Sequence, residues 1–187
     1  MHTPSDQYSY FNEDIKNKMI EISLRNCEPY SGKFDWDARG TLQGSWFVEG
    51  SSGYDGLVGQ QYWDSHLSFS PTYLDCDYSH FTISMGDYNG KEEQFGAIGN
   101  SPLPIDVTPN SGLVKYELTT FEFYDVNGQR WDRQSLVKID EVKNENFVIG
   151  TVLVEMLDSQ KIKFEAFPEL KASQVSSFTE NAKIYIR

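Results

Sequence analysis

The sequence has 187 residues, enough for one domain with a sizeable core, and its 39% apolar, 24% charged and 14% aromatic residues indicate a soluble, β-leaning globular chain. With 16 Lys plus Arg against 28 Asp plus Glu, the net charge of −12 repels phosphate backbones and anionic lipid, so neither nucleic acid nor a membrane surface is an expected partner. No apolar run approaches the roughly 20 residues of a membrane span, and "MHTPSDQYSYFNED" lacks the basic and apolar regions of a signal peptide. A cytoplasmic location is the default expectation, or an exported one if the chain is a mature or truncated form.

The first predicted element is a helix over about residues 12–26. Asn12 is a candidate N-cap, and Phe11, Ile15, Met19 and Ile22 recur at intervals of four, four and three, which makes one apolar stripe. Glu13 and Asp14 in the first turn and Arg25 near the end suit the helix dipole. The stripe is expected to cover the end or side of a sheet. Cys27 and Cys76 are too few for a disulfide framework; they are either free buried thiols, the plainer expectation, or a bridge in an oxidising compartment. Such a bridge would close a loop of about 50 residues and contribute about 4 kcal/mol.

After Pro29 the apolar period becomes two. Leu42, Gly44, Trp46 and Val48 form one face of a strand, and further strands are expected at Leu67 and Phe69 and over Phe81, Ile83 and Met85. A short strand is expected near Gln94 to Ile98, and "NSPLPIDVTPNSG" reads as a long proline-rich loop. "LVKYELTTFEFYDV" and "QRWDRQSLVKID" flank Asn127-Gly128, a strong hairpin signal. In the first of these the apolar phase slips between Leu118 and Phe121, which predicts a β-bulge at Thr119 and Thr120. "NFVIGTVLVEM" and "KIKFEAF" pair across a turn at Leu157 to Gln160, and "AKIYIR" is the last strand. The expected fold is all-β: an antiparallel up-and-down barrel of about eight to ten strands with one N-terminal amphipathic helix, in a single domain over 1–187 whose barrel occupies about 40–187.

Several constellations carry possible chemistry. The loop from Gly50 to Asp64 is long for a hairpin connection; as an entrance loop it would bring Tyr54, Tyr62 and Trp63 to a ligand, and otherwise it is a surface loop. Ser52 lacks the second glycine of a nucleophile elbow, since position 54 is tyrosine. His66 and His80 lie off the apolar phase and read as solvent-facing; as cross-strand neighbours beside Asp64 or Asp77 they would suit a surface metal. "DCDYSH" reads as an acidic turn, and "DYNGKEE" and "DVNGQRWD" as turns and not calcium loops, because their glycine falls too early. Asp35 and Asp37, if on a strand, would share a face at about 6 to 7 Å and could serve a hydrolase as acid and base.

Gly44-Ser45-Trp46, after an N-terminal helix and before a long loop and a series of hairpins, resembles the lipocalin and calycin barrels. In those families the tryptophan packs across the closed end, an arginine of the last strand packs on it, and the cavity takes small apolar molecules or haem; Arg187, in the final strand, is a loose candidate for that arginine. The Thr-Asp-Tyr motif of those families is missing. The series "GTLQGSWF", His66-Leu67, "FTISMG" and Ser111-Gly112-Leu113-Val114 also resembles a group of bacterial proteins carrying GTxQGNWF…HL…FSIG…SGxV, often longer and exported, which implies a shared barrel and no particular activity. The expected function is thus a non-catalytic calycin-like barrel that binds a small, largely apolar molecule through Trp46, Phe69, Ile83, Tyr54, Tyr62 and Trp63, without metal or cofactor. The alternatives are a carbohydrate-binding surface built on Trp36, Trp63 and Tyr54, or the Asp35 and Asp37 hydrolase.

Overall fold

In the computed structural model of the chain, residues 6–33, 35–53 and 61–187 are described, Tyr62 by its backbone alone. Contacts divide the chain into two compact units, one of Met1–Asp35, Pro71–His80 and Phe121–Lys143, the other of Trp36–Ser70, Phe81–Thr120 and Asn144–Arg187.

In the second unit the period-two segments form strands β1 (Gly44–Val48), β2 (His66–Pro71), β3 (Phe81–Tyr88), β4 (Lys91–Ala97), β5 (Leu113–Thr119), β8 (Gly150–Met156), β9 (Lys161–Pro168) and β10 (Lys183–Ile186). Among the described residues these eight close a barrel in the order β1, β10, β9, β8, β5, β4, β3, β2, so each strand lies beside its neighbour in sequence and β10 seals against β1. The fold is therefore the all-β, antiparallel, up-and-down barrel with an N-terminal helix that the alternation predicted. Closure leaves no free strand edge, so the ladder's N–H and C=O groups are paired without a partner chain.

Inward aromatic side chains meet across the interior. Phe69 of β2 meets Tyr116 of β5 and Phe164 of β9, each at 6.2 Å between ring centroids, and Phe81 meets Tyr116 at 5.4 Å. Strands β5 and β9 each lie three steps from β2 around the ring of eight, so these rings touch across the barrel axis. Trp46 is wholly buried beside them, and the Arg187 guanidinium lies 3.6 Å from its ring centroid. Arg187 also donates to the carbonyls of Ala38, Thr41 and Gln43, while Trp46 Nε1 donates to Leu42 O at 2.9 Å. The pair thus fastens the strap before β1 across one end of the core. Asp37 lies so close to Gly44 that a Cβ there would fall 2.2 Å from its Oδ1, and Gly44 has φ +127°, so both sterics and backbone demand glycine.

The first unit contains the helix α1 (Glu13–Ile22) and the two-stranded pair β6 (Phe121–Asp125) and β7 (Ile139–Asn144). Asn12 caps α1 by accepting from Ile15 N at 3.0 Å, as its position predicted. Two expectations about α1 are corrected. Its stripe is covered only in part: Met19 is half-buried, while Phe11, Ile15 and Ile22 are 46%, 44% and 56% exposed. Arg25 lies past the helix, buried, with its guanidinium bonded to Tyr73 O, Cys27 Sγ and Tyr78 Oη. The cation at the helix C-terminus is instead Lys138, whose Nζ donates to the carbonyls of Ile20 and Ser23.

The phase slip at Thr119 and Thr120 is not a bulge within one strand. It marks the point where the chain ends β5 and begins β6, outside the barrel, with Glu145 N donating to Thr120 O as the chain returns. The Asn127-Gly128 turn forms as expected, with Gly128 N on Asp125 O. Its return strand stops early because the Asp132 carboxylate captures the amides of Gln134 and Ser135 in a turn. Cys27 and Cys76 are disulfide-bonded, which replaces the plainer expectation of free thiols.

Candidate functional site

The site begins just before β2. Residues Tyr62–Ser65 make one turn of 3-10 helix, closed by Gln61 N on Asp64 Oδ2 at 3.1 Å. This turn rests on β3 at Gly86, where a Cβ would fall only 1.4 Å from Trp63 O. No larger residue can occupy that position without lifting the turn. The absence of a side chain at Gly86 thus decides where Trp63 stands.

Beside the turn is a groove of about 340 Å³ lined by Trp63, His66, Met85 and Gly86, with Ser84, Glu92, Glu93 and Gln94 along the β3–β4 hairpin. Ser84 and Gln94 are register partners, and Gln94 Nε2 donates to Ser84 Oγ at 3.0 Å and to Thr82 Oγ1 at 3.2 Å. The amide is therefore oriented, with its carbonyl end turned away from those two hydroxyls. His66 opens β2 and packs its ring 5.4 Å from that of Phe47. Burial lowers the His66 pKa, against the opposing pull of the Asp37 carboxylate, which keeps the imidazole neutral at pH 7 with one nitrogen donor and one acceptor. Glu93 is ion-paired with Lys91. One aromatic residue, a neutral imidazole, an oriented amide and carboxylates make a set suited to holding a ligand by one apolar face and a hydroxylated rim.

The residues singled out from the sequence do not come together as one lining. Trp46, Phe69 and Ile83 are 0% exposed in the barrel core; Trp63 lines the external groove; Tyr62 is described by backbone only, and Tyr54 lies outside the described residues. Trp36 is half-buried, and its carbonyl accepts from Gln43 Nε2. Asp35 and Asp37 are not on a strand, and Asp37 Oδ1 accepts from Ser45 N at 2.7 Å. His80 is buried and not solvent-facing, with Nδ1 2.6 Å from Thr72 Oγ1, while Asp75 accepts from the amides of Asp77 and His80 as the centre of an acidic turn. Among the described residues no three His, Cys, Asp or Glu side chains gather as metal ligands.

Sequence reasoning missed the hairpin's share of the groove. Ser84, Glu92 and Gln94 are ordinary polar residues of period-two strands, and the only local signal was "SMGD", a glycine inside a strand pattern, which indicates close backbone approach. Fold and groove together define the class, a closed antiparallel β-barrel with an external aromatic groove. Compared with models of protein families, with curated proteins and with solved structures, the chain matches none.

Proposed function

We propose that the chain is a non-catalytic, calycin-like barrel module that binds a small carbohydrate in the groove at Trp63. The observation that carries this reading is the seating of Trp63 by Gly86 beside His66, Ser84 and Gln94: a flat apolar ring next to fixed donors and acceptors. A pyranose has the complementary character, with an apolar C–H face and a rim of hydroxyls. The rings that meet across the barrel axis favour an external site over ligand burial inside, the reading that assigned contacts to Trp46, Phe69 and Ile83. The stacking of Arg187 on Trp46 supports the calycin-like comparison.

The test is a glycan array on the full chain followed by calorimetric titration of the best binder. Trp63→Ala, with unchanged circular dichroism, should weaken binding by about thirtyfold, the loss of about 2 kcal/mol typical of a central aromatic contact. An array without signal, or equal affinity in the variant, would remove the proposal.

A further inference from the structure

A second cavity lies in the barrel unit, well apart in sequence from the Trp63 turn. It has a volume of about 140 Å³ and is bounded by the β3–β4 tip, at Asp87 and Asn89, and by β9 and β10, at Phe164, Ala166, Lys183 and Tyr185. That is close to the roughly 150 Å³ of an engineered cavity able to hold benzene. Its apolar wall is the edge-to-face pair of Phe164 and Tyr185, 5.7 Å between centroids.

Two opposite charges also line it. Lys183 Nζ is 3.1 Å from Asp87 Oδ2, and this pair joins strands three steps apart around the barrel. The other oxygen, Oδ1, accepts from Gly90 N at 3.1 Å, so the turn itself fixes the direction of the carboxylate. Both side chains are substantially exposed, 41% for Asp87 and 49% for Lys183, and an ion pair of that kind contributes little stability, so replacing it costs little. Glu165, also in the wall, is not available to a ligand, because its two oxygens accept from Thr179 N and Thr179 Oγ1.

We propose that this cavity binds a small α-amino acid as its zwitterion, the ammonium taking Asp87 and the carboxylate taking Lys183. Such a ligand carries both charges on one carbon and exchanges the single pair for two, while a short side chain packs against Phe164 and Tyr185. A simple anion or cation would satisfy one residue and leave the other without its partner. The available volume limits the ligand to the smaller side chains.

The test is calorimetric titration of the full chain with L-alanine and L-proline, alongside N-acetyl-L-alanine, which lacks the ammonium, and L-alaninamide, which lacks the carboxylate. The zwitterions should bind, and each blocked analogue should bind at least about tenfold more weakly. Asp87→Asn and Lys183→Gln should each weaken L-alanine by about the same factor and leave any ligand of the Trp63 groove unaffected. No heat with L-alanine, L-proline or the other small amino acids at about 10 mM would overturn the proposal, as would equal binding of the blocked analogues. The blocked-analogue comparison needs only the unmodified chain, so it decides even if a variant fails to fold.

Discussion

Arg187 and Trp46 show how much one contact can hold. The guanidinium stacks on the indole and, through its two Nη atoms, reaches carbonyls spread over Ala38 to Gln43, a fork that lysine cannot reproduce. A desolvated cation–π contact and charge-assisted hydrogen bonds together predict that Arg187→Ala costs about 3 kcal/mol in urea unfolding. Arg187→Lys should recover less than half of that. At Gly86 the expectation is functional: Gly86→Ala would place a methyl group against the Trp63 carbonyl and displace the turn. It should abolish groove binding while the barrel's far-ultraviolet dichroism persists, and retained binding would show that the turn does not position Trp63.

At the scale of elements, the β6–β7 unit holds the clearest pH-dependent contact. The Arg130 hydrogen bond, followed by the charges of Arg130 and Arg133, holds the Glu122 carboxyl below its usual range despite some burial. A carboxylate lowered in the folded state contributes stability that is fully present above its unfolded pKa, about 4.3, and is lost as pH falls through the folded value. Glu122→Gln should therefore be less stable than the parent at pH 7, and in thermal unfolding the gap should begin to narrow as pH falls past the unfolded value of about 4.3 and close only below the lower folded value. The same unit carries the disulfide, whose 49-residue separation corresponds to about 4 kcal/mol of loop-closure stabilisation. Cys27→Ser with Cys76→Ser should speed hydrogen exchange at 24–30 and 71–80 and leave β8 and β9 protected; unchanged exchange in those segments would contradict this.

Element types were largely legible because their causes are local. Asn12 caps α1, Asn127-Gly128 makes its turn, and period-two alternation marks β1, β3 and β5, each set by residues within a few positions of one another. The phase slip at Thr119 and Thr120 was visible too, but its meaning was not. A bulge and an exit from the barrel leave the same local trace, and only the position of the returning chain at Glu145 separates them. Lys138 replaces Arg25 at the end of α1 for a similar reason: the cation comes from 115 residues away in sequence, and no local pattern records that.

For the molecule as a whole, closure of the barrel and the net charge of −12 act in opposite directions. Closure pairs every strand of the barrel with two neighbours, while the excess of carboxylates repels itself in the compact state. Raising the ionic strength from about 10 mM to about 150 mM, where the screening length falls to about 8 Å, should therefore raise the midpoint of thermal unfolding. A midpoint that falls with salt would mean that attractive ion pairs outweigh the repulsion. By itself the sequence determined the all-β class, the up-and-down order and the inward position of Trp46, because alternation and short turns act through near neighbours. Only the tertiary structure decided that Cys27 joins Cys76, that rings from β2, β5 and β9 meet across the axis, and that Trp63 stands over Gly86 beside a hairpin some 20 to 30 residues away. These are encounters between distant segments, and each depends on where closure of the barrel brings the strands.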